Sequence, residues 1–163
     1  MAEHKKQDAK SEIPDESVIA RNRKAWFEYE ILEKYEAGVV LLGSEVKSLR
    51  NRDVSIAEAF ARPRDGELWI LGMNIKPYAQ ANIRNHEPLR PRKLLLRHAE
   101  INRIIGKIAE RGFTIVPLAL YWKHGIAKMQ IAVARGKRKY DKRDSIKKRE
   151  AEREIRRAAG RRR

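Results

Sequence analysis

Residues 113–135, Phe-Thr-Ile-Val-Pro-Leu-Ala-Leu-Tyr-Trp-Lys-His-Gly-Ile-Ala-Lys-Met-Gln-Ile-Ala-Val-Ala-Arg, decide the fold class. Phe113 to Trp122 and Ile126 to Arg135 read as two strands around a Lys123-His124-Gly125 turn. In the second, Ile126, Lys128, Gln130 and Ala132 alternate with Ala127, Met129, Ile131 and Val133, giving one polar and one apolar face. Pro117 cannot donate to a ladder, so it marks an edge or a bulge. Upstream, Arg97 to Arg111 is the best helix in the chain. Ile101, Ile104, Ile105 and Ile108 share one face, and Gly112 stops it.

The same reading extends towards the N-terminus. Trp26 to Ala37 and Val39 to Arg50 are rich in β-formers and flank Gly38, which predicts paired strands. Asp53 to Ala61 looks like a short helix, with polar cap candidates before it and Pro63 just past its end. Arg64-Asp65-Gly66-Glu67 is a turn, Leu68 to Leu71 a strand, and Ile75 to Ile83 a further strand weakened by Pro77. Residues 85–93 form a basic loop kept extended by two prolines. Short strands with few helices predict a mainly β protein with flanking helices, built on an antiparallel barrel.

Charge points to the partner. The chain has 163 residues, with 38 Lys and Arg against 22 Asp and Glu, a net +16. Residues 1–20 carry about −2 and read as a disordered leader. Residues 21–135 form the folded domain at +9, and the tail 136–163 also carries +9 in far less length. With so few apolar residues, the tail is expected to be disordered alone and helical on a polyanion. Glu152 and Arg156 supply a favourable i,i+4 pair. A field of this sign attracts nucleic acid. Basic and aromatic residues meet at Asn22-Arg23-Lys24 with Trp26, in the 84–93 loop, and at Gly136-Lys137-Arg138-Lys139-Tyr140.

Other classes find little support. There is no cysteine, hence no disulfide or thiolate metal site. No apolar run is long enough to span a membrane, and the N-terminus lacks a secretory signal, so the cytoplasm is the default location. No phosphate-binding glycine loop appears, and His4, His86, His98 and His124 lack ligand spacing. Carboxylates interleave with Lys and Arg rather than clustering for metal-dependent hydrolysis. A non-enzymatic RNA-binding protein without cofactor or metal is therefore expected. A ribosomal protein bound permanently to ribosomal RNA remains an alternative.

Four blocks then resemble one family. Gly43-Ser44-Glu45-Val46-Lys47-Ser48-Leu49-Arg50, Arg92-Lys93-Leu94-Leu95-Leu96, Leu120-Tyr121-Trp122-Lys123 and Ala134-Arg135-Gly136-Lys137 followed by Tyr140-Asp141-Lys142-Arg143 are similar to small protein B, in the same order from about Asn22 to Glu150. The resemblance implies an oligonucleotide-binding-type (OB-fold-like) β-barrel. It implies that the barrel binds the tRNA-like domain of transfer-messenger RNA in trans-translation. It further implies that the tail enters the empty mRNA channel of a stalled 70S ribosome, beside small-subunit ribosomal RNA, and folds into a helix there. Elongation factor Tu belongs to the implied delivery complex, and the protein itself acts as a monomer away from membranes.

Residue roles follow from matched positions. Asn22, Glu36, Lys93, Leu95 and Lys128 match RNA-contacting positions, and Arg23, Lys24, Arg92 and Lys123 accompany them in the same segments. Leu95 reads equally as core, and Lys128 also lies on the polar face of its strand. Gly136 matches a pivot between barrel and tail, and Tyr140 a ring suited to stacking in the decoding centre. Asp141, Lys142 and Arg143 match the tail signature. Lys137, Arg138, Lys139, Lys147, Lys148 and Arg149 add to the ribosome-binding set. Ala151 stands where relatives can carry an aromatic.

Overall fold

Two tight turns set the frame of the barrel. His124 and Gly125, at φ 50° and 73°, join the long hairpin; Asp65 and Gly66, at 51° and 74°, join a shorter one. Positive φ at both central positions matches the twist of antiparallel strands. The computed structural model describes residues 13–81, 84–110 and 112–160. In chain order these form β1 (Val18–Arg21), α1 (Arg23–Glu28), β2 (Tyr29–Val39), α2 (Gly43–Arg50), β3 (Val54–Ser55), β4 (Phe60–Arg64) and β5 (Glu67–Leu71). There follow β6 (Asn74–Ile75), β7 (Arg92–Leu95), α3 (His98–Ile108), β8 (Phe113–Lys123), β9 (Ile126–Gly136) and α4 (Lys139–Gly160).

The main sheet runs β1-β8-β4-β5-β7-β2-β9, and β9 pairs again with β8. The strands from β8 round to β9 therefore close a ring, which leaves no open edge among them. β1 lies outside the ring on β8, antiparallel through Val18 and Tyr121. Pro117 sits at a register shift in the β8–β9 ladder, so the bulge is the correct one of its two expected roles.

Alternation fills the ring. Leu68, Ile70, Leu94, Ile115, Leu120, Met129, Ile131 and Val133 point inward and are buried. α3 adds Ile101 and Ile104 to the same core. Each such side chain contributes about 1.5–3 kcal/mol relative to exposure. A second cluster lies outside the ring, where Ala25 of α1 covers Val116, Leu118, Ala132 and Ala134.

Several sequence expectations are corrected here. Trp26 does not begin a strand: Asn22 caps the short helix α1, and β2 starts only at Tyr29. Gly38 is no hairpin turn either, because it lies inside β2 between Leu95 and Lys128. The residues expected as the second strand of that hairpin hold α2 instead, which buries Glu45, Ser48 and Leu49 on one face. The Glu45 carboxylate caps the start of this helix, accepting from the Leu42 N–H at 2.8 Å.

The expected helix at Asp53 to Ala61 is also absent. β3, a turn and the start of β4 occupy it, because burying Ile56 and Ala59 of the turn and Ala61 of β4 in the core outweighs a helix too short to nucleate. Of the expected strand at Ile75 to Ile83, only β6 forms; Asn82 and Ile83 lie outside the described residues. The leader shortens, since Val18 and Ile19 are buried and β1 pairs with β8. Its first part, residues 1–12, lies outside the described residues. The tail forms the single helix α4, in keeping with the helix expected of it. Gly72 illustrates how closely the chain folds: at φ 71°, an added Cβ would lie 2.7 Å from the Glu58 carbonyl oxygen.

Candidate nucleic-acid interface

Register places one row of residues across the outside of the ring. Leu95 on β7 opposes Gly38 on β2, Gly38 opposes Lys128 on β9, and Lys128 opposes Tyr121 on β8. Directly opposed residues face the same way. Gly38 has no side chain, so Leu95 packs against its backbone, 3.3 Å from where a Cβ would stand. One step along β2, Glu36 opposes Gln130.

Glu36 is the centre of this face. The Tyr121 hydroxyl donates to Oε2 at 2.6 Å, and Lys123 Nζ donates to both carboxylate oxygens at 3.0 and 3.1 Å. The Tyr121 hydrogen bond, opposed by partial burial and reinforced by Lys123 and by the charge of Lys128, holds the Glu36 carboxyl below its ordinary range. Burial, with the Glu36 hydrogen bond second, pushes the Tyr121 phenol up. An ionised acceptor thus stands among cations, and one lone pair, on Oε1, remains to accept from a ligand. Beside it opens a cleft of about 580 Å³, lined in part by Lys34, Glu36, Trp122, Lys123 and Gln130.

Other expected site residues fall in different places. Leu95 is 51% exposed, which settles it on the outer face and not in the core. Lys93 is on the outer face of β7, ion-paired to Glu67 at 2.6 Å. Lys24 pairs with Glu58 at 2.6 Å, and exposed Arg23 lines a separate cleft with Trp26 and α4.

Two of the expected RNA contacts are corrected. Arg92 is fully buried: Nε donates to Glu45 at 2.8 Å, Nη1 to the Met73 carbonyl at 2.6 Å and Nη2 to the Pro88 carbonyl at 3.0 Å. It has no surface to offer a phosphate. Asn22 is buried too. Its Oδ1 accepts from Ala25 N–H at 3.0 Å, while Nδ2 donates to the carbonyls of Ile56 and Pro117 at 3.3 and 2.9 Å. It ties α1 to the barrel. Asn22→Ala is expected to cost about 1–3 kcal/mol, read as a lower urea midpoint, because it orphans two buried carbonyls and a cap.

Sequence reasoning missed Tyr121 and Gln130 as members of the face. For Gln130 the signal was present in the alternation that placed Lys128 there. Tyr121 sits beyond the Pro117 bulge, where simple alternation along β8 is broken. The Glu45–Arg90–Arg92 cluster was also missed as an internal support. Arg90 Nε and Nη2 reach Glu45 at 2.8 and 2.6 Å; Glu45 and Arg92 are fully buried, and part-exposed Arg90 closes the cluster from the basic loop.

The tail leaves the sheet just past Gly136, which still pairs with Tyr29. An added Cβ at Gly136 would meet nothing within 4 Å, so this conformation does not require glycine there. Lys137 anchors the exit: its N–H donates to the Glu28 carbonyl at 2.9 Å, and Nζ to the Trp26 carbonyl at 3.2 Å. Arg138, Asp141, Arg143, Lys147, Lys148 and Arg149 are exposed, and Lys142 is half-buried. Arg149 lies over the Phe27 ring at 5.7 Å, so α4 rests on α1. The side chains of Lys139 and Tyr140, and residues 161–163, lie outside the described residues. Among the described residues no helix is long and apolar enough to cross a membrane.

Fold and charge define a class: a small closed antiparallel barrel with an ion-paired outer cleft, continued by a strongly basic helical tail. Comparison with known proteins narrows it. The family model described as "SmpB protein" matches residues 19–161. The SsrA-binding protein of Desulforudis audaxviator is 56% identical over 144 residues, covering 88% of this chain and 94% of that protein. That of Geobacillus kaustophilus is 55% identical over 141 residues, covering 86% and 91%. A solved chain described as "tmRNA-SmpB: a journey to the center of the bacterial ribosome" superposes with a TM-score of 0.63. It is 44% identical, covering 78% of this chain and 93% of that one. The chain belongs to the SmpB protein family.

Proposed function

We propose that this protein binds the tRNA-like domain of transfer-messenger RNA and delivers it to stalled 70S ribosomes for trans-translation. The outer barrel face takes the RNA, through Glu36, Leu95, Lys123 and Lys128, with Lys93, Arg23 and Lys24 at its margins. α4 occupies the empty mRNA channel and decoding centre, against small-subunit ribosomal RNA, led by Lys137, Arg138 and Lys142 and continued by Arg143, Lys147, Lys148 and Arg149. Elongation factor Tu joins the delivery complex. The protein acts as a cytoplasmic monomer whose role is binding, not catalysis.

The observation that carries this reading is the row Leu95–Gly38–Lys128–Tyr121 with Glu36 beside it. Lysines supply phosphate attraction, and an ionised carboxylate accepts from base amino groups or 2′-hydroxyls. Relatives at 55–56% identity that are named SsrA-binding proteins support the choice of RNA.

Lys128→Ala tests it. Binding of a tRNA-like-domain transcript, measured across a salt series, is expected to weaken, with the salt slope flatter by about one unit. Unchanged affinity and slope would place Lys128 off the interface.

A further inference from the structure

The cleft beside Glu36 has a wall that the family match does not include. Ile13, Pro14 and Ser17 line it, whereas the matched residues begin at 19. Tyr121, whose hydroxyl holds Glu36, faces outward from β8 yet is only 5% exposed. A side chain on the outside of a barrel is buried only by something laid over it. Clustered with Tyr121 are Ile13 and Val18 from the N-terminal segment, with Ala119 beside it on β8. Val18 is its register partner. Ile13 is brought back to the barrel by a short 3-10 turn at Asp15–Ser17, where the Ser17 N–H and hydroxyl both donate to the Pro14 carbonyl, at 3.1 and 2.8 Å. Ile13 itself is 9% exposed.

We propose that Ile13 is a positioning residue for RNA binding: it seats the Tyr121 ring so that the hydroxyl holds the Glu36 carboxylate in the orientation that accepts from RNA. The proposal rests on the reading of the Glu36 cleft as an RNA site. Ile13 is apolar and supplies no contact to phosphate. Its effect passes through Tyr121 and Glu36, the two groups hydrogen-bonded at 2.6 Å. Covering the ring also explains why the phenol is pushed up chiefly by burial.

A double-mutant cycle on the full chain tests this, with a tRNA-like-domain transcript as the probe. Ile13→Ala is expected to weaken binding about fivefold, the scale on which a supporting residue acts through a partner. Ile13→Val, which keeps the branched cover, is expected to restore most of the affinity. In a Glu36→Gln background, Ile13→Ala is expected to have no further effect. If Glu36→Gln weakens binding but Ile13→Ala does not, this proposal is overturned and the cleft reading stands. Additive losses overturn it as well, since Ile13 would then act independently of Glu36. If Glu36→Gln leaves binding unchanged, the cleft reading itself falls, and this proposal falls with it.

Discussion

Glu45→Ala is expected to destabilise the barrel by about 3–5 kcal/mol, enough to remove much of the stability of an ordinary domain. Glu45 and Arg92 are both fully buried, and Arg90 closes the cluster from the loop side. Removing the carboxylate leaves the Arg92 guanidinium buried without its counter-charge, while its bonds to the Met73 and Pro88 carbonyls keep it from escaping to water. The Leu42 N–H at the start of α2 loses its acceptor at the same time. Urea unfolding at neutral pH measures the loss directly. A doubly apolar replacement, Glu45→Leu with Arg92→Met, is expected to recover much of it, because no fully buried charge is then left unpaired and Arg90, 25% exposed, can turn to water.

The same cluster predicts a pH dependence. Burial pushes the Glu45 carboxyl up, but Arg90, the Leu42 N–H and Arg92 together outweigh it and hold the group below its ordinary value. A carboxylate lowered in the folded state stabilises fully above its unfolded value, about 4.3. That contribution fades as pH falls through the lower folded value. The stability difference between the parent and Glu45→Gln is therefore expected to be largest at neutral pH and to shrink in acid below about pH 4. A difference that stays constant across that range would mean that the ionised carboxylate is not what stabilises the cluster.

The second large effect is functional. A chain ending at Lys137 is expected to keep its affinity for the tRNA-like domain within about twofold and to lose tagging of stalled nascent chains altogether. The cut respects the barrel, since Gly136 still pairs with Tyr29 and the Lys137 N–H still reaches the Glu28 carbonyl at 2.9 Å. What leaves is α4, whose described residues are mostly exposed and whose ring contact to the body is Arg149 over Phe27. Filter binding and a tagging assay on ribosomes stalled without a stop codon read the two outcomes separately. Normal tagging by the shortened chain would remove the tail from the mechanism. A large loss of RNA affinity would instead make the tail part of the first RNA site.

The residues show why some elements were legible and others were not. β8 and β9 are adjacent in sequence, joined by a two-residue turn, and long enough for alternation to declare both faces. α3 is similar: Ile101 and Ile104 share a face and Glu100 caps its start, although it ends at Ile108, short of the expected stop at Gly112. The region from Trp26 to Arg50 misleads because its β-forming composition is outweighed by partners far along the chain. Asn22 starts α1 while bonding to Ile56 and Pro117, and Glu45 starts α2 while bonding to Arg90 and Arg92. No local pattern can announce contacts of that separation.

The candidate site divides the same way. Lys128 was legible because strand period alone turns it outward. Arg92 was not, since a basic residue in a basic loop looks like surface until the fold encloses it with Glu45. By itself the sequence determined the charge, the closing hairpin, α3 and the basic tail, because these depend on composition and on neighbours a few residues apart. Only the tertiary structure decided that the sheet closes, that Arg92 and Asn22 serve the interior, and that Glu36 meets Tyr121 and Lys123. Those facts depend on contacts between distant segments, from 34 positions apart for Asn22 and Ile56 to more than eighty for Glu36 with Tyr121 and Lys123.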